Sequence, residues 1–395
     1  MLSDRAPAMV AASTASLTIP RRLPGLDSLR GMASLSVVFG HCLHLVLYSS
    51  YYPAYAAIIF FMNLPMLKTL VNLNDAVLLF FMHSGYVLAL PFIARRANSY
   101  PAFAVKRVFR IYPAHLVVIA LLLGGIALWH PQAMPGMGDW FNRKATVQPH
   151  LHDVAQQGAL MFMNPDKDPL PFNGVVWSLV HEMRVSLLFP LICVLLLRRT
   201  PWAQFLLLLC YPVLFHYMAP HATRLDHLLP GTVATFGYVY LFLIGIVLAE
   251  HREAIARAWA RLPRWGSYAV LLLSVLGYSA HLHVFPTSPL FPADPILILA
   301  LVLLVIAAAN GEAVFLTRPV RWLGKVSYSL YLVHIPLLLL WTRLLYPHVP
   351  FWGVWLLTIV TALGTSALLY QWVEYPLQQF GRALAARMDA GKALS

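Results

Sequence analysis

Charge is scarce in this chain. Asp, Glu, Lys and Arg make up 11% of its 395 residues, where a soluble domain carries roughly 25%, so a water-soluble enzyme and a disordered chain are both excluded. Cysteine is scarcer still: Cys42, Cys193 and Cys210 lie in apolar segments without CxxC spacing, which excludes a disulfide framework, a zinc signature and thiol redox chemistry. The first 22 residues lack the order of a secretory signal, positive charge followed by a strongly apolar core. They read as a disordered tail, and the first span serves as an uncleaved insertion signal.

What the chain has is apolar sequence. Hydrophobic residues make up 60%, in long runs recurring from residue 32 to residue 373, the pattern of a polytopic all-α membrane bundle. At about 20 residues per span, ten helices are expected, near 32–48, 74–93, 111–129, 175–197, 203–218, 232–250, 266–283, 296–310, 326–345 and 351–373. The apolar stretch from Tyr55 to Leu67 is broken by Asn63 and Pro65 and is too short to cross, so it reads as interfacial or re-entrant. No soluble catalytic domain is expected: residues 130–174 form the longest connection, and the chain divides into a tail (1–22), a membrane-embedded domain (23–381) and a second tail (382–395).

Basic residues test that count, because Lys and Arg in short loops collect on the cytoplasmic side. With the N-terminus inside, 21 of the 28 basic residues fall in inside segments. Only Lys68, Arg143, Lys144, Lys167 and Arg224 fall outside, and Arg184 and Arg343 lie within spans. An eleventh span at 54–70 would move the cluster at 95–110 outside. Ten spans with both termini in the cytoplasm follow, and the net charge of +13 encodes topology rather than nucleic-acid binding.

Ionisable groups within spans are costly and mark chemistry. Arg30 and His41 are eleven residues apart, three helical turns plus about 20°, so they share one face about 16 Å apart along the axis. A cation at the inner surface and an imidazole near the bilayer centre suit a long anionic ligand entering from the cytoplasm; a snorkelling arginine and a packed histidine would account for the pair equally well. Arg107 and Arg110 sit three apart, placed to converge on a phosphate or diphosphate, although inside-positive charge alone would also put them there. In WSLVHEMR, Trp177, Ser178, His181 and Glu182 are expected on one helix face, where a carboxylate in lipid needs a partner. Ser327, Tyr331 and His334 share a face of the ninth helix, as a binding wall or an interhelical polar seam. His44 beside His41 has no nearby Cys or carboxylate, so no metal site is expected.

Six runs taken in order, LDSLRGMASLSVVFGH, LFFMHSGYVLAL, RVFRIYP, WSLVHEMRVSLLFP, LGKVSYSLYLVHIPL and WVEYPLQQFGR, resemble the acyltransferase 3 family of integral-membrane acyltransferases, which includes O-acetyltransferases of bacterial surface polysaccharides. The resemblance spans Leu26 to about Arg382. The family's basic residue, ten residues, then His is matched by Arg30 and His41, its paired arginines by Arg107 and Arg110, its Ser-Gly by Ser84 and Gly85, and its WSL-x-x-E by Trp177, Ser178 and Glu182. Departures are His83 before the Ser-Gly pair and His181 before Glu182. Many relatives carry an added esterase-like domain after the last span; the sequence shows none, which leaves room for a separate extracytoplasmic partner.

The resemblance implies an acyl-CoA donor, most simply acetyl-CoA, as substrate with no permanently bound cofactor, and a carbohydrate or glycolipid acceptor hydroxyl. Arg107 and Arg110, with Arg30, would hold the CoA phosphates, with Ser84, Trp177, Ser178, Tyr331 and His334 lining the donor site. His41 would act as general base, or as a transient acyl carrier, and Glu182 would orient an imidazole or balance positive charge. Ser84 and Tyr331 are candidate oxyanion donors. The rival readings are a proton-coupled transporter using His41, Glu182 and His334 as a relay, and a flippase-like or structural partner in an envelope assembly.

Overall fold

The computed structural model describes residues 23–47, 49–129, 132–148, 150–165, 173–279 and 294–393. The first 22 residues, His281 and His283, and Lys167 fall outside them. Among the described residues there is no strand. The ten expected helices are all present: α1 (Pro24–Leu47), α2 (Asn74–Ile93), α3 (Tyr100–Trp129), α4 (Val176–Leu196), α5 (Pro201–Met218), α6 (Thr232–Glu250), α7 (Arg264–Ser279), α8 (Pro295–Ala309), α9 (Arg318–Leu345) and α10 (Phe351–Leu369). Eight are long and apolar enough to cross a membrane; α7 and α8, at 16 and 15 residues, fall short of that length. The stretch that would have made an eleventh span is an 11-residue helix, Tyr52–Met62, about 16 Å long at 1.5 Å per residue and too short to cross.

Lipid is as apolar as leucine, so helix association here depends on close packing and polar contacts rather than on burial from water. The tightest crossings use small residues. Gly31 of α1 meets the main chain of Gly324 on α9, and a Cβ on either would overlap the other helix. Gly85 of α2 and Gly245 of α6 do the same for that pair. Accordingly α1 packs chiefly on α9 and α2 on α6, while α5 lies at the periphery with Trp202, Leu209 and Tyr217 exposed.

Two irregularities shape the interior. Pro336 in α9 has no N–H to give the carbonyl of Leu332, and the side-chain amide of Asn173 donates to that oxygen instead at 2.8 Å. Beyond α10, Tyr370–Glu374 forms a π-helical turn that leads into α11 (Tyr375–Ala393). The segment after residue 381 is therefore helical through Ala393, and α11 lies along α3, with Phe380 on Phe109 and the Asp389 carboxylate accepting from the Ser99 N–H.

Candidate active site

A cavity of about 290 Å³ lies among α1, α2, α3, α4, α9 and α11, at the low end of the ~300–1,000 Å³ typical of small-molecule sites. It runs from Leu23, Lys325 and Arg382 at the end of the bundle where α1 begins, inward to Ser178 and Tyr331. Of the ten site residues expected from the sequence, seven line it: Arg30, Ser84, Arg107, Arg110, Ser178, Glu182 and Tyr331. Trp177, His41 and His334 do not.

The cavity is cationic because four arginines, Arg30, Arg107, Arg110 and Arg382, line one chamber. Two are fixed by the packing. Arg30 donates from Nε to Ser327 Oγ at 2.9 Å and from Nη2 to the Gly324 carbonyl at 3.2 Å, so the α1/α9 crossing sets its direction. Arg110 is ion-paired with Glu374 and stands over the Tyr328 ring at 5.3 Å. Glu374 is almost wholly buried and also accepts from Ser329 at 2.7 Å and Gln378 at 3.0 Å. Glu182 accepts from Ser84 at 3.3 Å, and it faces the arginines rather than an imidazole. This chamber can take a polyanion against its guanidiniums, with the hydroxyls of Ser178 and Tyr331 at its inner end.

The inner end is closed by hydroxyls. Tyr331 and Ser178 are 2.8 Å apart, and Ser178 donates onward to the Val175 carbonyl at 3.1 Å. The imidazoles lie beyond this pair. His334 packs against the Tyr331 ring, and its Nε2 lies 3.2 Å from Nδ1 of His41. On the far side His41 stacks on Trp140, with centroids 5.9 Å apart, and His44 meets the edge of the same indole.

The hydrogen bonds decide where the protons sit. In each ring Nδ1 faces a main-chain carbonyl, Val37 for His41 at 3.0 Å and Leu330 for His334 at 3.2 Å. Carbonyls only accept, so both neutral rings carry their proton on Nδ1. His334 Nε2 is then an acceptor, the His41 Nδ1–H is shared between it and Val37, and His41 keeps the lone pair on Nε2.

Two expectations from the sequence are corrected. Arg30 and His41 were to face one continuous groove, but the Ser178–Tyr331 pair stands between the chamber of Arg30 and the imidazoles. Trp177, Ser178, His181 and Glu182 were to share a face; 100° per residue is enough to divide them. Ser178 and Glu182 line the cavity, whereas Trp177 and His181 turn to Tyr238 of α6, with His181 bonded to Thr235 at 2.8 Å. Arg184 serves the connections, donating to the carbonyls of Met161, Met163 and Pro230. Sequence reasoning also passed over Glu374 and Trp140, and left His83 without a role. His83 lines the cavity with its buried Nε2 lacking a hydrogen-bond partner among the described residues. Only Glu374 carried a signal, as a carboxylate at the end of an apolar run.

No hydrogen bond among the described residues joins Glu182 to either imidazole, and Glu182 lies on the opposite side of Tyr331 from them, so the relay of a proton-coupled transporter has no support. Around His41 and His44, no group of three or more metal-ligating side chains gathers among the described residues.

Nodulation protein 10 of Rhizobium leguminosarum bv. viciae is 25% identical over 321 residues, covering 79% of this chain and 84% of that protein. Acyltransferase MdmB of Streptomyces mycarofaciens is 27% identical over 388 residues, covering 90% and 91%. YrhL of Bacillus subtilis (strain 168), provisionally named a peptidoglycan O-acetyltransferase, is 24% identical over 394 residues, covering 91% of this chain but 56% of that protein. No solved structure matches. The acyltransferase domain family profile matches residues 23–371, nearly the whole described bundle, and the chain therefore belongs to the acyltransferase 3 family, as a polytopic membrane acyltransferase.

Proposed function

We propose that the chain is an O-acyltransferase that moves an acyl group, in the simplest case acetyl, from acyl-CoA in the cytoplasm to a hydroxyl of a carbohydrate or glycolipid acceptor. In this reading both termini are cytoplasmic, the membrane is the bacterial inner membrane, and the arginine-lined chamber is the donor site. A chamber of about 290 Å³ accommodates the slender acyl-pantetheine arm and not the nucleotide. The nucleotide phosphates then sit at the mouth with Arg107, Arg382 and the Glu374-braced Arg110.

The observation that carries the reading is the Val37 carbonyl 3.0 Å from Nδ1 of His41, since a carbonyl beside Nδ1 favours the tautomer that leaves Nε2 as a proton acceptor. A hydroxyl is a weak nucleophile and needs such a base. The acceptor O–H gives its proton to His41 Nε2 as its oxygen bonds to the thioester carbonyl carbon. The C–S bond then breaks, and the thiolate leaves with that proton as CoA-SH. Tyr331 donates to the carbonyl oxygen as it gains charge, which requires its bond to Ser178 to part when the acyl group arrives. Glu182 balances the cationic wall and holds Ser84.

The test is purified protein in nanodiscs of native bacterial membrane lipid, which supplies the acceptor, with acetyl-CoA, scored for CoA release. Wild-type protein should release CoA, and His41→Ala should bind CoA but not turn it over. Turnover at the wild-type rate in His41→Ala would sink the assignment.

A further inference from the structure

A second cavity, about 260 Å³, lies on the flank of the bundle between α3 and α9. Its walls are apolar, with Leu122 and Ile126 on one side and Leu337 and Leu340 on the other. It faces outward: Leu121 at its edge is 69% exposed, and a side chain added at Gly125 would meet open space. An apolar furrow in a membrane protein is ordinary. This one differs in having two cations, Lys144 and Arg343, in its lining.

Lys144 lies one ring away from the imidazole pair, and Arg343 stands nine residues beyond His334 on α9. The Lys144 ammonium lies 5.9 Å from the centre of the Trp140 ring, and Trp140 is the ring stacked on His41. Arg343 stands over Phe141, the next residue, and donates to the Gln132 carbonyl at 2.8 Å. Val333, which precedes His334, lines the same furrow. The furrow thus approaches the imidazoles from the side away from the arginine chamber, and the Ser178–Tyr331 pair separates the two.

We propose that this furrow binds the phosphate-bearing lipid on which the acceptor is carried, its hydrocarbon between α3 and α9 and its phosphate against Lys144 and Arg343. Hydrocarbon walls ending in two cations match an amphiphile whose charge is negative and sits next to its chain. A phosphate accepts several hydrogen bonds, so it uses both cations whatever else they touch. A head group attached beyond that phosphate would bring its hydroxyls toward Trp140 and His41. The proposal rests on the reading of the chain as an acyltransferase with an acceptor hydroxyl at His41, and it makes the enzyme two-sided, with a water-soluble donor from one face and a membrane-borne acceptor from the flank.

The experiment is native mass spectrometry of the full chain from phosphatidylcholine nanodiscs doped with phosphatidic acid or with diacylglycerol of the same chains. Phosphatidic acid should be retained at least about tenfold over diacylglycerol, in keeping with charge-assisted bonds to two cations. Lys144→Gln with Arg343→Gln should erase the preference, Lys144→Arg with Arg343→Lys should keep it, and Gly125→Phe should reduce retention by filling the furrow. Equal retention of the two lipids, or a preference unchanged in the glutamine variant, overturns the proposal. Displacement of phosphatidic acid by millimolar inorganic phosphate also overturns it, since the chain would then contribute nothing. CoA release by the wild-type protein, measured in parallel in nanodiscs of native bacterial membrane lipid, separates the two claims: lipid selectivity without turnover refutes the functional reading alone, and turnover without selectivity refutes the furrow alone.

Discussion

His334 accepts the Nδ1 proton of His41 across 3.2 Å, joining residues 293 positions apart. The pair exists because Gly31 and Gly324 let α1 and α9 approach to main-chain contact two to three turns away. His334 is therefore a positioning residue, and His41 keeps a second acceptor in the Val37 carbonyl. His41→Ala should lower the rate of CoA release by ~10²–10⁴-fold, the usual contribution of a general base. His334→Ala should cost less, ~10–100-fold, as loss of a supporting partner does. A purely structural His334 would lower the amount of folded protein and leave the rate per folded molecule unchanged, so the comparison is made on protein quantified by size-exclusion chromatography.

Arg107 and Arg110 separate recognition from architecture. Arg110 is tied to Glu374, while Arg107 lines the chamber without an ion pair among the described residues. Arg107→Gln should weaken CoA binding by about tenfold, the worth of one charge-assisted contact, with little effect on thermal stability. The loss should shrink as salt is raised, since salt already weakens the wild-type contact. Isothermal titration with CoA and with dephospho-CoA at two ionic strengths reads both effects, and a salt-independent affinity would show that the arginine is there for topology alone.

Glu374 carries the opposite expectation. It is almost wholly buried and holds Arg110, Ser329 and Gln378 at once. Glu374→Ala leaves a buried guanidinium unbalanced, and breaking such a pair costs ~3–5 kcal/mol; the Arg110 side chain is 20% exposed where it borders the chamber, so the lower end applies. Thermal unfolding in detergent should show a clear fall in Tm. Adding Arg110→Met to Glu374→Ala should recover part of it, because the orphaned charge is removed. Failure of the double variant to recover would mean that Ser329 and Gln378, not Arg110, are what Glu374 supports.

How far the fold was legible follows from which interactions decide it. Helices crossing lipid must satisfy their own backbone, so apolar runs alone locate them: the expected 74–93 is α2, and 351–373 is α10 with its π turn. Residues clustered by local spacing were also readable, which is why Arg107 with Arg110, and Ser178 with Glu182, lie in one chamber as expected. Contacts between distant helices were not. Nothing near His41 in the chain indicates that His334 lies against it, and no spacing shows that Tyr331 closes the chamber short of both. Glu374 was missed for a local reason, since a π turn adds a residue and rotates that side chain off the face that regular helical periodicity predicts.

Tyr331 offers the sharpest test of the two-chamber arrangement, because its ring and its hydroxyl have separable roles. The ring separates the arginine chamber from His334, and the hydroxyl bonds Ser178 at 2.8 Å. Tyr331→Phe keeps the barrier and removes the donor. If the hydroxyl steadies the thioester oxygen as it gains charge, the rate of transfer should fall by ~10²–10³-fold while the KM for acyl-CoA stays within about twofold. Tyr331→Ala removes both, and water then has a path from the chamber to His41 Nε2. Acyl-CoA should be hydrolysed without acceptor, so the ratio of hydrolysis to transfer should rise in the alanine variant and not in the phenylalanine variant. Equal ratios in the two would mean that the aromatic ring is no barrier and that the chamber and the imidazoles belong to one continuous site.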